Sequence, residues 1–221
     1  MQIKYLRAKG EYIFFKDNKN ILTPNGNVLK VIKKRHAELV IEDLKRQKRN
    51  KNPNSCLNLT FFSCNLNIVE KNQIKKKILE ILKFDCVLCR FFDDYKLIKE
   101  MDKELNVYIK SFEKKFNLEL RMIESLFQKN SIQNSSFEEF LDQLHIFDLT
   151  VYYKISTLTK SSILSYFFIK KKIDYNTLYK LANIEYTYQQ KEWGLTDDQK
   201  KIDCYNVGIL KNISFFFKNA N

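Results

Sequence analysis

Few side chains in this sequence have the type and spacing that metal binding or redox chemistry requires. Cys86 and Cys89 form a C-x-x-C pair, which is the spacing of many zinc and disulfide-exchange sites. A zinc site needs a second pair of ligands at similar spacing, and Cys56, Cys64 and Cys204 do not provide one. We therefore expect the two thiols to pack as small apolar groups on an amphipathic helix, and a metal or redox role is the alternative.

Catalytic patterns are missing elsewhere in the sequence. The two histidines, His36 and His145, do not lie in a known arrangement with serine, cysteine or acidic residues. Four glycines placed singly cannot form a phosphate-binding loop. The sequence thus predicts no catalytic residue, no metal ligand and no cofactor.

Asp85 and Arg90 lie on either side of the C-x-x-C pair. They have opposite charges and a spacing that allows an ion pair at a helix end. Such a pair usually supports the fold, and binding of a partner is the alternative.

The stretch 174–199 contains the only tryptophan, Trp193, and is predicted to be a helix that begins at Asp174, followed by a new helix start. One face of the first helix consists of Leu178, Leu181, Ala182, Glu185, Gln189 and Glu192. Burial of an ionised carboxylate is costly unless it is paired. Glu185 therefore lies at the solvent-exposed edge of this stripe, is paired with another group of the protein, or is presented to another molecule.

The elements that position these residues differ between the two parts of the chain. Residues 3–32 predict a β-meander, with turns at Asp17–Asn20 and Pro24–Gly26, and a helix follows from 34 to 47. The segment 57–64 is either a strand or a short buried segment of another kind. From about residue 70 the pattern is helical.

These patterns predict an α+β fold. It consists of a small N-terminal α/β domain (1–70), with a β-meander and one helix, and a larger all-helical C-terminal domain (71–221). Residues 118–124 alternate briefly and are a candidate strand for the N-terminal sheet. The predicted inner face of the final helix is Ile202, Tyr205, Ile209, Ile213 and Phe216.

Charge and composition narrow the choice of partners only in part. The 39 lysines and arginines exceed the 26 acidic residues and give a net charge of +13, which permits a nucleic acid, an acidic partner or an anionic membrane surface. The same lysines are spread over most helices among many asparagines and isoleucines, which also fits an AT-rich genome. The basic run 45–51 either binds the phosphate groups of a nucleic acid or is a solvated helix end and loop.

The remaining sequence signals concern the compartment. Five cysteines at irregular spacing, without a secretory signal, predict free thiols in a reducing compartment. The longest apolar run, near 163–169, is far shorter than the ~20 residues that a membrane span needs. Strand-like sequence near the N-terminus favours the absence of an organelle-targeting peptide.

Six short segments in this order resemble the ATP synthase F(1) assembly chaperones of the Atp-twelve (Atp12) family, from about residue 12 to residue 199. They are Leu22-Thr-Pro-Asn-Gly26, Asp43-Leu-Lys-Arg-Gln47, Leu57-Asn-Leu-Thr60, Asp85-Cys-Val-Leu-Cys-Arg90, Leu158-Thr-Lys-Ser-Ser-Ile-Leu164 and Glu185-Tyr-Thr-Tyr-Gln-Gln-Lys-Glu-Trp-Gly194. The chain departs from the family pattern at Asp43-Leu44, at Leu57–Thr60, at Ser161 and at Tyr186.

The resemblance implies a two-domain chaperone that is not an enzyme. Such a protein binds the free alpha subunit of ATP synthase and shields the surface meant for the beta subunit. By resemblance the partner-binding residues are Glu185, Gln189 and Trp193, with Asp85 and Arg90 as further candidates. The resemblance also implies an alphaproteobacterial cytoplasm or a mitochondrial matrix; we further expect a monomer, without nucleic acid and without membrane insertion. A basic nucleic-acid-binding protein is the alternative.

Overall fold

The computed structural model of the protein describes residues 2–46, 52–91, 93–132 and 135–220. Over these ranges a small antiparallel sheet is followed by a long series of helices, which confirms the predicted α+β fold. The helices are α1 (Lys34–Arg46), α2 (Cys56–Asn65), α3 (Ile68–Lys83), α4 (Tyr95–Phe116), α5 (Ser135–Gln143), α6 (Ile146–Thr159), α7 (Ser162–Ile169), α8 (Tyr175–Ala182), α9 (Ile184–Trp193) and α10 (Asp197–Ala220). None of these helices, within the ranges described, is long and apolar enough to cross a membrane.

The sheet is organised around its second strand. Strand β2 (Glu11–Lys16) pairs antiparallel with β1 (Ile3–Ala8), β3 (Lys19–Asn20) and β4 (Lys30–Val31). The loop between β2 and β3 has both central residues at positive φ, as a two-residue hairpin of type I′ requires. Gly26 has a φ of 83°, the positive value that its predicted turn needs.

The chain forms two compact units. The first consists of the described residues of Met1–Lys71, His145–Val151 and Lys211–Asn221, and the second of those of Asn72–Leu144 and Tyr152–Leu210. The predicted domain division at residues 70 and 71 stays a prediction.

The segment 57–64, for which the sequence left two possibilities, lies within helix α2 of the first unit. Ser55 caps this helix, because its hydroxyl oxygen accepts a hydrogen bond from the Asn58 N–H group. The hydroxyl groups of Thr60 and Ser63 donate to carbonyl groups four residues earlier in the same helix, at 2.6 and 2.9 Å. Burial on several sides removes the periodicity by which a helix is normally recognised.

His36 lies at the centre of the first unit, where its side chain is fully buried. The imidazole ring packs edge-on against Phe147 and Phe216, with ring centroids 5.1 and 5.2 Å away. Its Nε2 atom lies 2.7 Å from the Thr60 hydroxyl oxygen. Burial lowers the pKa of His36 to about 4, so the ring is neutral at physiological pH.

One predicted strand is wrong, and the predicted inner face of α10 is wrong in its first half, whereas Ile213 and Phe216 are buried as predicted. Residues 118–124 do not join the N-terminal sheet; among the described residues that sheet consists of β1 to β4, and Ile123 instead forms a parallel bridge with Cys89. On α10, Ile202 and Tyr205 are 51% and 66% exposed rather than on an inner face. Tyr179 and Gln190 donate hydrogen bonds to Asp203, so the side of α10 that carries Asp203 faces α8 and α9.

Candidate functional site

The predicted helix from Asp174 to Trp193 is interrupted at Asn183. Asp174 begins α8 as predicted, and its carboxylate accepts a hydrogen bond of 2.7 Å from the Thr177 N–H group. At Asn183 the backbone leaves the helical conformation (φ −120°, ψ 30°), and its side-chain amide donates to the Tyr179 carbonyl at 2.8 Å. The single long helix is therefore wrong, because an asparagine side chain competes for the backbone groups that would continue it.

The interruption separates Glu185 from the apolar stripe of α8. Glu185 lies in the first turn of α9 and is half-buried, and its carboxylate accepts a hydrogen bond of 3.1 Å from the Gln189 side-chain amide. Desolvation raises the pKa of Glu185, and the bond from Gln189 acts in the opposite direction. The carboxylate lines a cavity of about 190 Å³ together with Cys86 and Cys89. Two predicted site residues, Glu185 and Gln189, are thus in direct contact.

Trp193 ends α9 and is 80% exposed. Gly194, at a φ of 87°, terminates the helix as predicted, and its N–H group donates to the Gln190 carbonyl. A groove of about 410 Å³ lies beside the indole ring and is called the Trp193 groove below. Its lining residues are Phe91, Asp93, Asp94, Leu97, Tyr188, Gln189, Glu192 and Trp193.

The sequence does not indicate that Phe91, Asp93, Asp94 and Leu97 form one groove with the end of α9. Asp94 has a recognisable local role, since its carboxylate accepts from the N–H groups of Lys96 and Leu97 and caps α4. Its second role is tertiary, because the Tyr188 hydroxyl donates to the same carboxylate. Both kinds of hydrogen bond lower the pKa of Asp94, with the backbone bond from Leu97 contributing most. Local patterns carry no signal for such a contact between distant segments.

Asp85 is fully buried and organises two backbone turns. Its Oδ2 atom accepts hydrogen bonds from the N–H groups of Ser162 and Ile163, at 2.7 and 3.0 Å, which lie at the start of α7. Its Oδ1 atom accepts from the Val87 N–H group at 3.2 Å, in a 3-10 turn formed by residues Cys86–Leu88. Desolvation raises the pKa of Asp85 to about 6, although these hydrogen bonds favour the ionised form.

Arg90 does not pair with Asp85, so the predicted ion pair is wrong. The Arg90 Nε atom lies 2.9 Å from an Asp102 carboxylate oxygen on α4. One terminal nitrogen of the guanidinium group donates to the carbonyl groups of Val87 and Cys89, at 2.9 and 2.7 Å. The Asp85 carboxylate accepts its hydrogen bonds from backbone N–H groups, and the Arg90 guanidinium group donates to Asp102 and to the carbonyl groups of Val87 and Cys89 instead. Partner binding by these two buried residues stays a prediction, and their contacts favour a supporting role.

The C-x-x-C pair does not lie on an α-helix, because Cys86 begins the 3-10 turn and Cys89 directly follows it. The Cys86 thiol donates to the Thr159 carbonyl at 3.2 Å, and the Cys89 thiol donates to the Asp85 carbonyl at 3.6 Å. Burial raises the pKa of both thiols, that of Cys89 to about 11. Both are therefore protonated at neutral pH, the state in which a thiol is a poor nucleophile. In the part of the chain that the structure describes, no group of three or more His, Cys, Asp or Glu side chains could hold a metal ion.

The predicted phosphate-binding run begins at Lys45 and Arg46, the last residues of α1. Residues 47–51 of this run lie outside the described residues, and the phosphate-binding hypothesis depends mainly on them.

Comparison with known proteins relates this arrangement to one family. The mitochondrial Atp12 protein of Schizosaccharomyces pombe is 23% identical over 217 aligned residues, which cover 88% of this chain and 72% of the relative. No family model matches the chain.

Solved structures share the fold. The crystal structure of Atp12 from Paracoccus denitrificans superposes with a TM-score of 0.83 at 15% identity, covering 100% of this chain and 97% of that one. A protein of Agrobacterium tumefaciens, described as a candidate chaperone, gives a TM-score of 0.85 at 14% identity, covering 99% of this chain and 84% of the other. The chain is thus similar in sequence to the Atp12 protein of Schizosaccharomyces pombe and shares the fold of Atp12 from Paracoccus denitrificans, the family that its six ordered segments resemble.

Proposed function

We propose that this protein is a chaperone for assembly of the catalytic head of ATP synthase, and that it binds the free alpha subunit and shields its beta-facing surface. The observation that carries the proposal is the similarity to Atp12 proteins, in sequence over 88% of the chain and in fold over its whole length. The role is not enzymatic and needs no cofactor.

The exposed apolar side chains of the second unit support a protein-binding role. Trp193, Ile202 and Tyr205 are 80%, 51% and 66% exposed, and they lie close together in the chain, from the end of α9 to the first half of α10. Subunits of an obligate assembly expose large apolar faces before they meet, and such faces aggregate unless they are covered. Exposed aromatic side chains on a chaperone are suited to cover them, because Trp and Tyr bury large areas at interfaces.

Within this proposal Glu185, Gln189 and Trp193 contact the alpha subunit. Asp85 and Arg90 act indirectly, since they hold the turn next to the Trp193 groove in place through buried hydrogen bonds. The proposed location is the bacterial cytoplasm, or the mitochondrial matrix in a eukaryote. The protein acts as a monomer, without nucleic acid and without insertion into a membrane.

A binding experiment tests the proposal. The purified full chain is titrated with unassembled alpha subunit, and we expect a saturable complex that Trp193→Ala weakens at least about tenfold, the effect of losing a buried aromatic anchor. Phe127→Ala is the matched control, because Phe127 is also an exposed aromatic residue, at 97% exposure, and lies outside the Trp193 groove.

Absence of a complex with the alpha subunit would refute the proposal. Equal weakening by Trp193→Ala and Phe127→Ala would refute the assigned surface. A steep, salt-dependent affinity for DNA or RNA at physiological salt, without affinity for the alpha subunit, would instead favour the nucleic-acid alternative.

A further inference from the structure

The Trp193 groove has a negative charge that contrasts with the composition of the whole chain. Three carboxylate side chains line it, those of Asp93, Asp94 and Glu192, and no lysine or arginine is among its described lining residues. The chain as a whole has 39 lysines and arginines against 26 acidic residues. A groove with only acidic charges in such a basic protein is complementary to a cationic group.

Two of the three carboxylates are free to bind a ligand. Asp94 is committed to the N–H groups at the start of α4 and to the Tyr188 hydroxyl. Asp93 and Glu192 are exposed, and neither makes a hydrogen bond or an ion pair with any residue that the structure describes. The neighbouring cation on α9, Lys191, pairs with Glu100 at 3.3 Å instead. No lysine or arginine of the described chain therefore forms an ion pair with Asp93 or Glu192.

The shape and the aromatic wall of the groove narrow the choice of ligand. Its volume of about 410 Å³ is sufficient for one long side chain and part of the segment that carries it. Trp193 presents its indole ring at 80% exposure, and tryptophan is the strongest partner for a cation above an aromatic face. A guanidinium group suits this combination better than an ammonium group, because it is planar, stacks on aromatic rings and pairs with two carboxylate oxygens at once.

We propose that the Trp193 groove binds an arginine side chain from an extended segment of the partner protein. The guanidinium group stacks on Trp193 and pairs with Asp93 and Glu192. The proposal rests on the proposed function in one respect, the identity of the partner as the alpha subunit. The groove and its preference for arginine are independent of that identity.

The single tryptophan provides the assay. Because Trp193 is the only tryptophan and forms a wall of the groove, its fluorescence reports occupancy directly. The full chain is titrated with acetylated and amidated tetra-arginine, with tetralysine and tetraglutamate as comparison peptides. We expect a saturable change in emission with tetra-arginine, a weaker effect with tetralysine and none with tetraglutamate.

A charge-neutralising variant and its matched control test the geometry. The double variant Asp93→Asn, Glu192→Gln is expected to weaken tetra-arginine binding about tenfold, because two partly solvated charge pairs together contribute ~1.4 kcal/mol. The control Glu138→Gln, Glu139→Gln changes net charge equally at exposed positions of α5, and its affinity should stay within about twofold of the wild type. Circular dichroism of both variants establishes that they are folded.

The outcomes separate this proposal from the chaperone function. Equal weakening in both double variants, or no saturable change with tetra-arginine, would overturn the groove proposal. Equal affinity of the wild type and the Asp93→Asn, Glu192→Gln variant for the alpha subunit would also overturn it and would leave the chaperone function standing. If tetra-arginine binds as expected and the alpha subunit does not bind the wild type, the chaperone function is wrong and the groove chemistry is supported.

Discussion

The buried imidazole of His36 predicts a specific loss of stability in mild acid. The Thr60 hydroxyl donates its single hydrogen to the Cys56 carbonyl at 2.6 Å, so the contact of 2.7 Å between Thr60 Oγ1 and His36 Nε2 requires the hydrogen on Nε2. Protonation must then occur at Nδ1, a buried atom without a hydrogen-bond partner among the described residues. The ring is enclosed by Phe147 and Phe216, which offer the new charge little solvation.

The size of this effect follows from proton linkage. The pKa of His36 is lowered in the folded protein to about 4, from about 6.5 in the unfolded chain. Because the folded pKa is depressed, the stabilisation is present above pH ~6.5 and is lost as the pH falls towards 4. The full loss is ~3 kcal/mol, and the loss between pH 7.5 and pH 5 is ~2 kcal/mol, a large part of the stability of an ordinary domain.

The assay compares urea unfolding of the wild type and of His36→Gln at several pH values, followed by circular dichroism. Subtraction of the two curves cancels the titration of carboxylates that both proteins share. We expect the free energy of unfolding of the wild type to fall by ~2 kcal/mol more than that of the variant between pH 7.5 and pH 5. Parallel curves for the two proteins, or an NMR titration of His36 with a midpoint near 6.5, would show that burial of His36 does not destabilise the protein in acid.

Three further predictions concern the second unit. Asp85→Ala should lower the free energy of unfolding by ~3 kcal/mol, because it leaves buried N–H groups at the start of α7 without an acceptor. Asp174→Ala, at the exposed start of α8, should lower it by only ~1 kcal/mol. Equal losses in the two variants would contradict the role of Asp85. Glu185→Lys should weaken binding of the alpha subunit with an unchanged circular dichroism spectrum, and an unfolded variant would show that Glu185 is a core residue instead. The exposed Cys204 should react with a thiol reagent at neutral pH much faster than the C-x-x-C pair, and comparable rates would show that burial does not protect the pair.

Local chemistry made much of this fold predictable from sequence. The turn at Gly26 needs a positive φ, Asp174 accepts from the N–H group three residues later, and Thr196 does the same at the start of α10. Each of these features depends on residues that are neighbours in the chain. The β-meander and the helix α1 follow from equally local patterns of apolar residues and turns.

The errors occur where distant segments decide the structure. The sequence spacing predicts Arg90 as the partner of Asp85, yet the N–H groups of Ser162 and Ile163, more than 70 positions away, donate to its carboxylate. Ile202 and Tyr205 have the spacing of a buried face, and the bonds of Asp203 to α8 and α9 turn that face to solvent. Hydrophobic periodicity identifies an apolar stripe, but it does not say whether the stripe contacts this chain or another protein.

The candidate site is predictable from sequence only where its residues lie close together in the chain. The family resemblance predicts Glu185, Gln189 and Trp193 as site residues. In the structure Glu185 contacts Gln189, and Gln189 and Trp193 line one groove. Asp93 has no such sequence signal, because its nearness to α9 depends on how α4 packs against α9. The acidic character of the groove is likewise a property of the folded chain.

The proposed function requires the protein to shield the free alpha subunit of ATP synthase before assembly. The most direct measurement is light scattering of unassembled alpha subunit, diluted from denaturant with and without the full chain. We predict that the chaperone suppresses aggregation at about one molecule per alpha subunit, and that later addition of beta subunit releases it. Undiminished aggregation at equimolar chaperone would contradict the proposed function. So would suppression that needs a large excess of the protein and that serum albumin reproduces.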